Sequence, residues 1–160
     1  MSLVKKLLSL IALAVFAALS VNANAQLADK KVLTLEAAKK IAVAAEAEAR
    51  KNNWNVVIAV VDDGGHLIYL QRIDGTQTGS IDVAIGKART SAAFKRPTKV
   101  FDDLAKTRPS ITSISPDAVL LEGGVPVMVG GQLVGAVGVS GVTSQQDAQI
   151  AEAGIAALGM

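Results

Sequence analysis

Two glycine-centred hairpin signals, set among three helical stretches, limit what this chain can fold into more than any other feature. The first is the β-branched run NVVIAVVD, then Asp63-Gly64-Gly65, then HLIYLQRI. Two strand-length runs joined by a short glycine-rich segment read as a β-hairpin. The second is VPVMV, Gly130-Gly131 and QLVGAVGVSG. Pro126 has no N–H to give, so its strand begins there or lies at a sheet edge.

The helical stretches alternate with these hairpins. Thr34 is placed to cap LEAAKKIAVAAEAEARKNN, in which Leu35, Ala38, Ile41, Ala42, Ala45 and Ala49 share one face. Glu36 with Lys40 and Glu46 with Arg50 form i,i+4 pairs on the outer side, and Asn52-Asn53 ends the helix. Ser80 opens IDVAIGKARTSAAFKR and Pro97 closes it. Its stripe of Ile81, Ile85, Ala88 and Ala92 adjoins a second stripe of Val83, Lys87, Thr90 and Phe94, which places Lys87 partly buried or lining a cleft. Residues 98–106 read as a short helix, 107–117 as a loop and 118–122 as one further short strand. Ser144 caps the last helix, with Asp147 three residues on in a capping-box-like position. This order predicts a single α+β domain on an antiparallel sheet.

The first residues stand apart from that pattern. Lys5 and Lys6, an apolar run over residues 7–19, and Ala23-Asn24-Ala25 form the three parts of a secretory signal, with Gln26 as the new N-terminus. The run is short for a bilayer span, which takes roughly 20 residues; an uncleaved membrane anchor is the alternative. The boundaries expected are therefore a signal at 1–25 and a domain at 26–160, in a periplasmic or secreted protein with no stable membrane span once the signal is removed. The whole chain has 16 basic and 14 acidic residues. Two lysines leave with the signal, so the mature domain is neutral, and without a basic run interleaved with aromatics it offers no nucleic-acid surface. The remaining about 135 residues suffice for a buried core. The chain has no cysteine, which rules out disulfides, thioether-linked haem and thiolate metal sites.

The chain's one histidine, His66, is suited to axial ligation of haem iron or to proton transfer; as a bare residue it reads more simply as an exposed histidine at the start of a strand. With no second histidine and no cysteine a structural zinc site is disfavoured. Tyr69 falls on the opposite face of the strand. Arg72, Asp74, Lys87 and Arg89 could pair with the carboxylates of an acid or with haem propionates. As alternatives, Asp74-Gly75 is a turn pair and an exposed arginine is a solvated charge. Gly135, Gly138 and Gly141 do not form a dinucleotide-binding pattern and read as bulges or sites of close helix packing, while Gly123-Gly124 could admit a ligand to the backbone. No G-x-S-x-G is present, so a serine hydrolase is unsupported. The aromatics that follow the signal, Trp54, Tyr69, Phe94 and Phe101, are few for a deep haem pocket.

The stretch VVDDGGHLIYLQRIDGTQTGSIDVAIGKARTSAAF, followed by GGVPVMVGGQLVGAVGVSG and Asp147, resembles the GlcG/HbpS-like haem-binding (haem-degrading) family. That family includes the C-terminal module of PduO-type corrinoid adenosyltransferases. The resemblance covers residues 33–158. It implies a profilin-like α/β/α single domain, with a five-stranded antiparallel sheet flanked by helices, that assembles into homo-oligomers. The family's recurring positions fall on His66, Arg72, Asp74, Gly75, Lys87, Thr90, Gly123, Gly124, Pro126, Gly138 and Asp147; Thr76 stands where alanine is usual. Together with the export pattern at 1–25, the resemblance implies an exported protein that binds haem or another tetrapyrrole non-covalently, in haem-iron handling or haem degradation. His66 would be the iron ligand, with Met128 as the other conceivable one. Arg72, Lys87 and Arg89 would meet the propionates, and Thr90, Gly123 and Gly124 would complete the cofactor site. Two other readings stand beside it: an enzyme or accessory protein acting on a small organic acid, and an oligomeric sensor or scaffold module.

Overall fold

The computed structural model describes residues 28–159, and there the apolar run from Val56 forms β1 (Val57–Asp62). Residues 56–61 are fully buried because both faces of the strand are covered, which is why the run is continuous and not alternating. β2 (Leu67–Arg72) returns antiparallel to it after a turn in which Gly65 holds φ +83°. β3 (Gly124–Val129) and β4 (Gln132–Ser140) form the second hairpin. Gly130 and Gly131 join them at φ +60° and +80°, the left-handed pair a two-residue hairpin turn requires. β1 also pairs antiparallel with β4, giving the order β2-β1-β4-β3 with Pro126 on an edge strand. The export pattern at 1–25 lies outside the described residues. From Lys31 on, the chain forms one compact unit.

Helices cover both faces of the sheet. α1 (Leu35–Lys51) is capped by Thr34, whose Oγ1 accepts from the Ala37 N–H at 3.2 Å. Its buried Ile41 and Ala45 pack with Ile58 and Val60 of β1, Val137 and Val139 of β4, and Ile150 of α4 (Ser144–Ala156). The first-turn ion pair of α1 joins Glu36 to Lys39 at 3.2 Å instead of to Lys40. α2 (Ser80–Phe94) crosses the other face, where Ala84 meets Val57 and Ala59, and Ala88 and Ala92 meet Val61 and Ala136. α3 (Lys99–Thr107) and a 3-10 turn (Pro109–Ser113) lead to β3. The architecture is therefore α+β in three layers, as expected, with two differences. Among the described residues the sheet has four strands, not five, and 118–122 runs as coil. The cap of α4 is Thr143, boxed with Gln146, and not Ser144 with Asp147.

α2 lies unusually close to the sheet. Gly138 and Gly124 are cross-strand neighbours. A Cβ on Gly138 would collide with the Ala84 carbonyl oxygen and the Ala88 backbone N, and one on Gly124 with the Lys87 carbonyl. The paired glycines thus form a flat seat into which the helix backbone sinks. The room at Gly123-Gly124 is filled by the protein itself: the Gly124 N–H donates to Thr98 Oγ1 at 2.8 Å, and Gly123, at φ +124°, packs on the Lys87 ammonium and Asp147. These two glycines therefore do not present backbone to a ligand, contrary to the expectation from sequence.

Lys87 is deeper than its helical stripe implied. It is 2% exposed, its Nζ donates to Asp147 Oδ2 at 2.7 Å and to the Val139 carbonyl at 3.0 Å, and Asp147 Oδ1 accepts from the Val142 N–H at 3.3 Å. Burial pushes the Asp147 carboxyl above the ordinary aspartate range, and the bond from Lys87 opposes that shift only in part. A pair of this kind gives little net stability, yet losing one partner leaves a buried charge uncompensated. Chemical denaturation should show Asp147→Leu destabilised by about 3–5 kcal/mol, with most of the loss recovered when Lys87→Met is added. Simply additive losses would mean the pair is not the constraint described. Gly138→Ala should lower stability by about 1–3 kcal/mol in the same assay, since α2 has to rise to admit the methyl group.

Candidate functional site

The β1–β2 turn is organised by Asp62. Its Oδ1 accepts the Gly64 N–H at 2.9 Å and the His66 N–H at 2.8 Å, a local carboxylate-to-backbone arrangement that an aspartate ending a strand readily makes. The His66 Nδ1 lies 3.4 Å from the same oxygen, with the imidazole side chain 84% exposed. Desolvation works to raise the Asp62 carboxyl, but the N–H donors and the adjacent imidazole hold it below the ordinary aspartate range. The carboxylate therefore stays ionised beside the ring.

Arg89 ties this turn to α2. Its Nε donates to the Gly65 carbonyl at 3.2 Å, and its side-chain stem packs under Gly65. Arg89 also lines a groove of about 600 Å³ between α2 and the coil before β3, together with Asp82, Ile85, Gly86, Asp117 and Val119. Val119 sits over Gly86, where a Cβ would stand. Thr90 is buried and its Oγ1 accepts from the Val119 N–H at 2.9 Å, so it holds one wall of the groove in place. A smaller cleft of about 110 Å³ continues along α2 past Arg89 to Phe94.

The expected site residues thus divide into four places. His66, Arg89 and Thr90 gather at the β1–β2 turn and the α2 groove. Lys87, Gly123, Gly124 and Asp147 meet beneath α2, where the Lys87 ammonium is engaged by the Asp147 carboxylate and the Val139 carbonyl. Arg72 is exposed at the far end of β2, opposite Val57. Five residues separate it from the start of that strand, a rise of roughly 17 Å. Asp74 is exposed in the turn beyond it, and Met128 lies on the other edge strand, 38% exposed. Asp62, Asp117 and Val119 were missed from sequence. Asp62 had a local signal, an aspartate four residues before the histidine; the approach of Val119 to Gly86 is tertiary and had none.

A family described as haem degrading protein, HbpS-like, matches residues 33–156. Protein GlcG of Escherichia coli K12 is 46% identical over 111 residues, which span 69% of this chain and 83% of GlcG. An uncharacterised 15.0 kDa protein of Citrobacter freundii, from the dhaT–dhaS intergenic region, is 39% identical over 124 residues, 75% of this chain and 87% of its own. Among solved structures, a double mutant of HbpS from Streptomyces reticuli superposes with a TM-score of 0.79 at 36% identity, covering 88% of this chain and 96% of that one. A PduOC–haem complex superposes with a TM-score of 0.74 at 27% identity, covering 79% and 95%. With a match across the folded domain and with these relatives, the chain belongs to the HbpS-like haem degrading protein family.

Proposed function

We propose that this chain is an exported protein that binds haem or a related tetrapyrrole non-covalently and takes part in haem-iron handling or haem degradation. The observation that carries the reading is the juxtaposition of an exposed imidazole, backed by an ionised carboxylate, with an arginine-edged groove. Asp62 faces Nδ1 of His66, which leaves Nε2 as the nitrogen for iron; a carboxylate behind the other ring nitrogen is the usual support of a metal-bound histidine. The groove of about 600 Å³ falls within the range of cofactor-sized sites. Ile85 and Val119 supply it with apolar surface, and Arg89, anchored on Gly65, supplies a guanidinium for a propionate.

The present residues fit a haem held at the edge of the domain, with His66 and Arg89 as its contacts. Lys87, Gly123 and Gly124 have no part in it, since they are occupied beneath α2. Arg72 stands at the wrong end of β2 to share a ligand with His66. Bound haem supplies iron-centred redox chemistry; the protein orients the ring and keeps one propionate paired. The match to a haem-degrading family and the likeness to a protein solved with haem support the same ligand class.

Titration of the mature protein with haemin should give a saturable Soret band at one haem per chain. His66→Ala should shift that band and weaken binding, and Arg89→Ala should weaken binding about tenfold with an unshifted band, as expected for loss of one charge-assisted hydrogen bond. Absence of a saturable spectrum would contradict haem binding, and a band unchanged in His66→Ala would remove His66 as the ligand. Export has its own readout. Mass spectrometry of the protein recovered from the periplasm or medium should find Gln26 at the N-terminus, and a full-length protein retained in the cytoplasm would contradict it.

A further inference from the structure

At the opposite end of the sheet from the β1–β2 turn, the chain passes from α1 into β1 through Asn52-Asn53-Trp54-Asn55. The passage is a tight turn. Asn53 takes the left-handed conformation at φ +58°, and the Trp54 N–H closes back on the Ala49 carbonyl at 2.9 Å, a common helix-ending arrangement. This geometry opens a cleft of about 330 Å³ lined by Arg50, Asn53, Trp54, Asn55 and Ile73. Trp54 packs against the main core and also forms part of the cleft wall. Neither the Asn53 nor the Asn55 amide makes a hydrogen bond among the described residues, so both forks are available to a ligand.

From this cleft we infer a second binding site, for a neutral polyhydroxylated ring of monosaccharide size. Three features select that chemistry. An indole in the cleft wall offers a flat surface for the C–H face of a sugar ring. Each primary amide offers a donor and an acceptor together, which matches hydroxyls that also donate and accept. The third feature is charge. The Arg50 Nε already donates to Glu46 Oε1 at 2.6 Å. Bonds from Gln71 first, and then from Arg50, hold Glu46 below the ordinary carboxylate range, so the guanidinium has an ionised partner. The C-terminal end of α1 adds partial negative charge at the same place. An anion therefore meets little net attraction, while a neutral ligand still finds N–H donors. The site is separated from the β1–β2 turn by the length of a six-residue strand, roughly 20 Å, so it stands or falls independently of haem binding.

Trp54 is the chain's one tryptophan, so its emission reports this cleft without a label. The haem-free mature protein would be titrated with D-glucose, D-galactose and D-mannose, and with sodium glucuronate as the charged comparison. At least one neutral hexose should change the emission saturably in the low millimolar range, with glucuronate about tenfold weaker. Asn53→Gly, which keeps the left-handed backbone, and Asn55→Ala should each weaken the hexose about tenfold while the thermal midpoint stays near that of the parent. Three results would overturn the inference: no saturable change with any hexose, tighter binding of glucuronate, or unchanged hexose binding in both variants.

Discussion

The close seating of α2 on the sheet is the constraint from which the rest of the structure follows. Gly138 and Gly124 face each other across β3 and β4, and the backbone of α2 occupies the space their missing side chains leave. At that depth Lys87 cannot reach water. Its ammonium takes the Val139 carbonyl and the Asp147 carboxylate, which joins α2 to the end of β4 and to α4. The ion pair and the glycines are thus two parts of one arrangement. The glycines let the helix descend, and the pair satisfies the one charge that descends with it.

That seating also sets what α2 presents on its outer side. With Lys87 turned inward, Arg89 faces the β1–β2 turn and Ile85 faces the groove. Thr90, one residue on, is buried and fixes the coil that forms the opposite wall through the Val119 N–H. The turn itself is stiffened by Asp62 rather than by a regular ladder, since the register slips between Val60 and Val61 just before it. The carboxylate-held turn carries the imidazole, and Arg89 links that turn, through the Gly65 carbonyl, to a groove lined by Ile85 and Val119 together with Asp82 and Asp117. This is the kind of support that a bound cofactor needs from its surroundings.

Much of the fold was legible because its signals are local. The hairpin glycines, the Thr34 cap and the apolar run of β1 each act within a few residues, and each formed as its chemistry dictates. The errors came where tertiary contact decides. The apolar stripe of Lys87 leaves it partly buried or lining a cleft; nothing local says that Gly138 and Gly124 would draw it to full burial. Gly123-Gly124 looked open to a ligand because Thr98 and Lys87, which fill the space, come from another part of the chain. For α4, Ser144 and Thr143 are both competent caps, and the reciprocal bond with Gln146 chose Thr143, leaving Asp147 free for Lys87. Of the site, His66 and Arg89 were visible as residue types, but their adjacency through Gly65 was not.

The central claim is that haem docks against the β1–β2 turn and the α2 groove. The most direct test is paramagnetic broadening of backbone amide signals in residues 26–160 with one equivalent of haemin. Signals from residues 62–67, 85–90 and 117–119 should broaden, while those from 50–55 and 130–131 should persist. Broadening centred on the β3–β4 turn, or on the Arg72 end of β2, would contradict it.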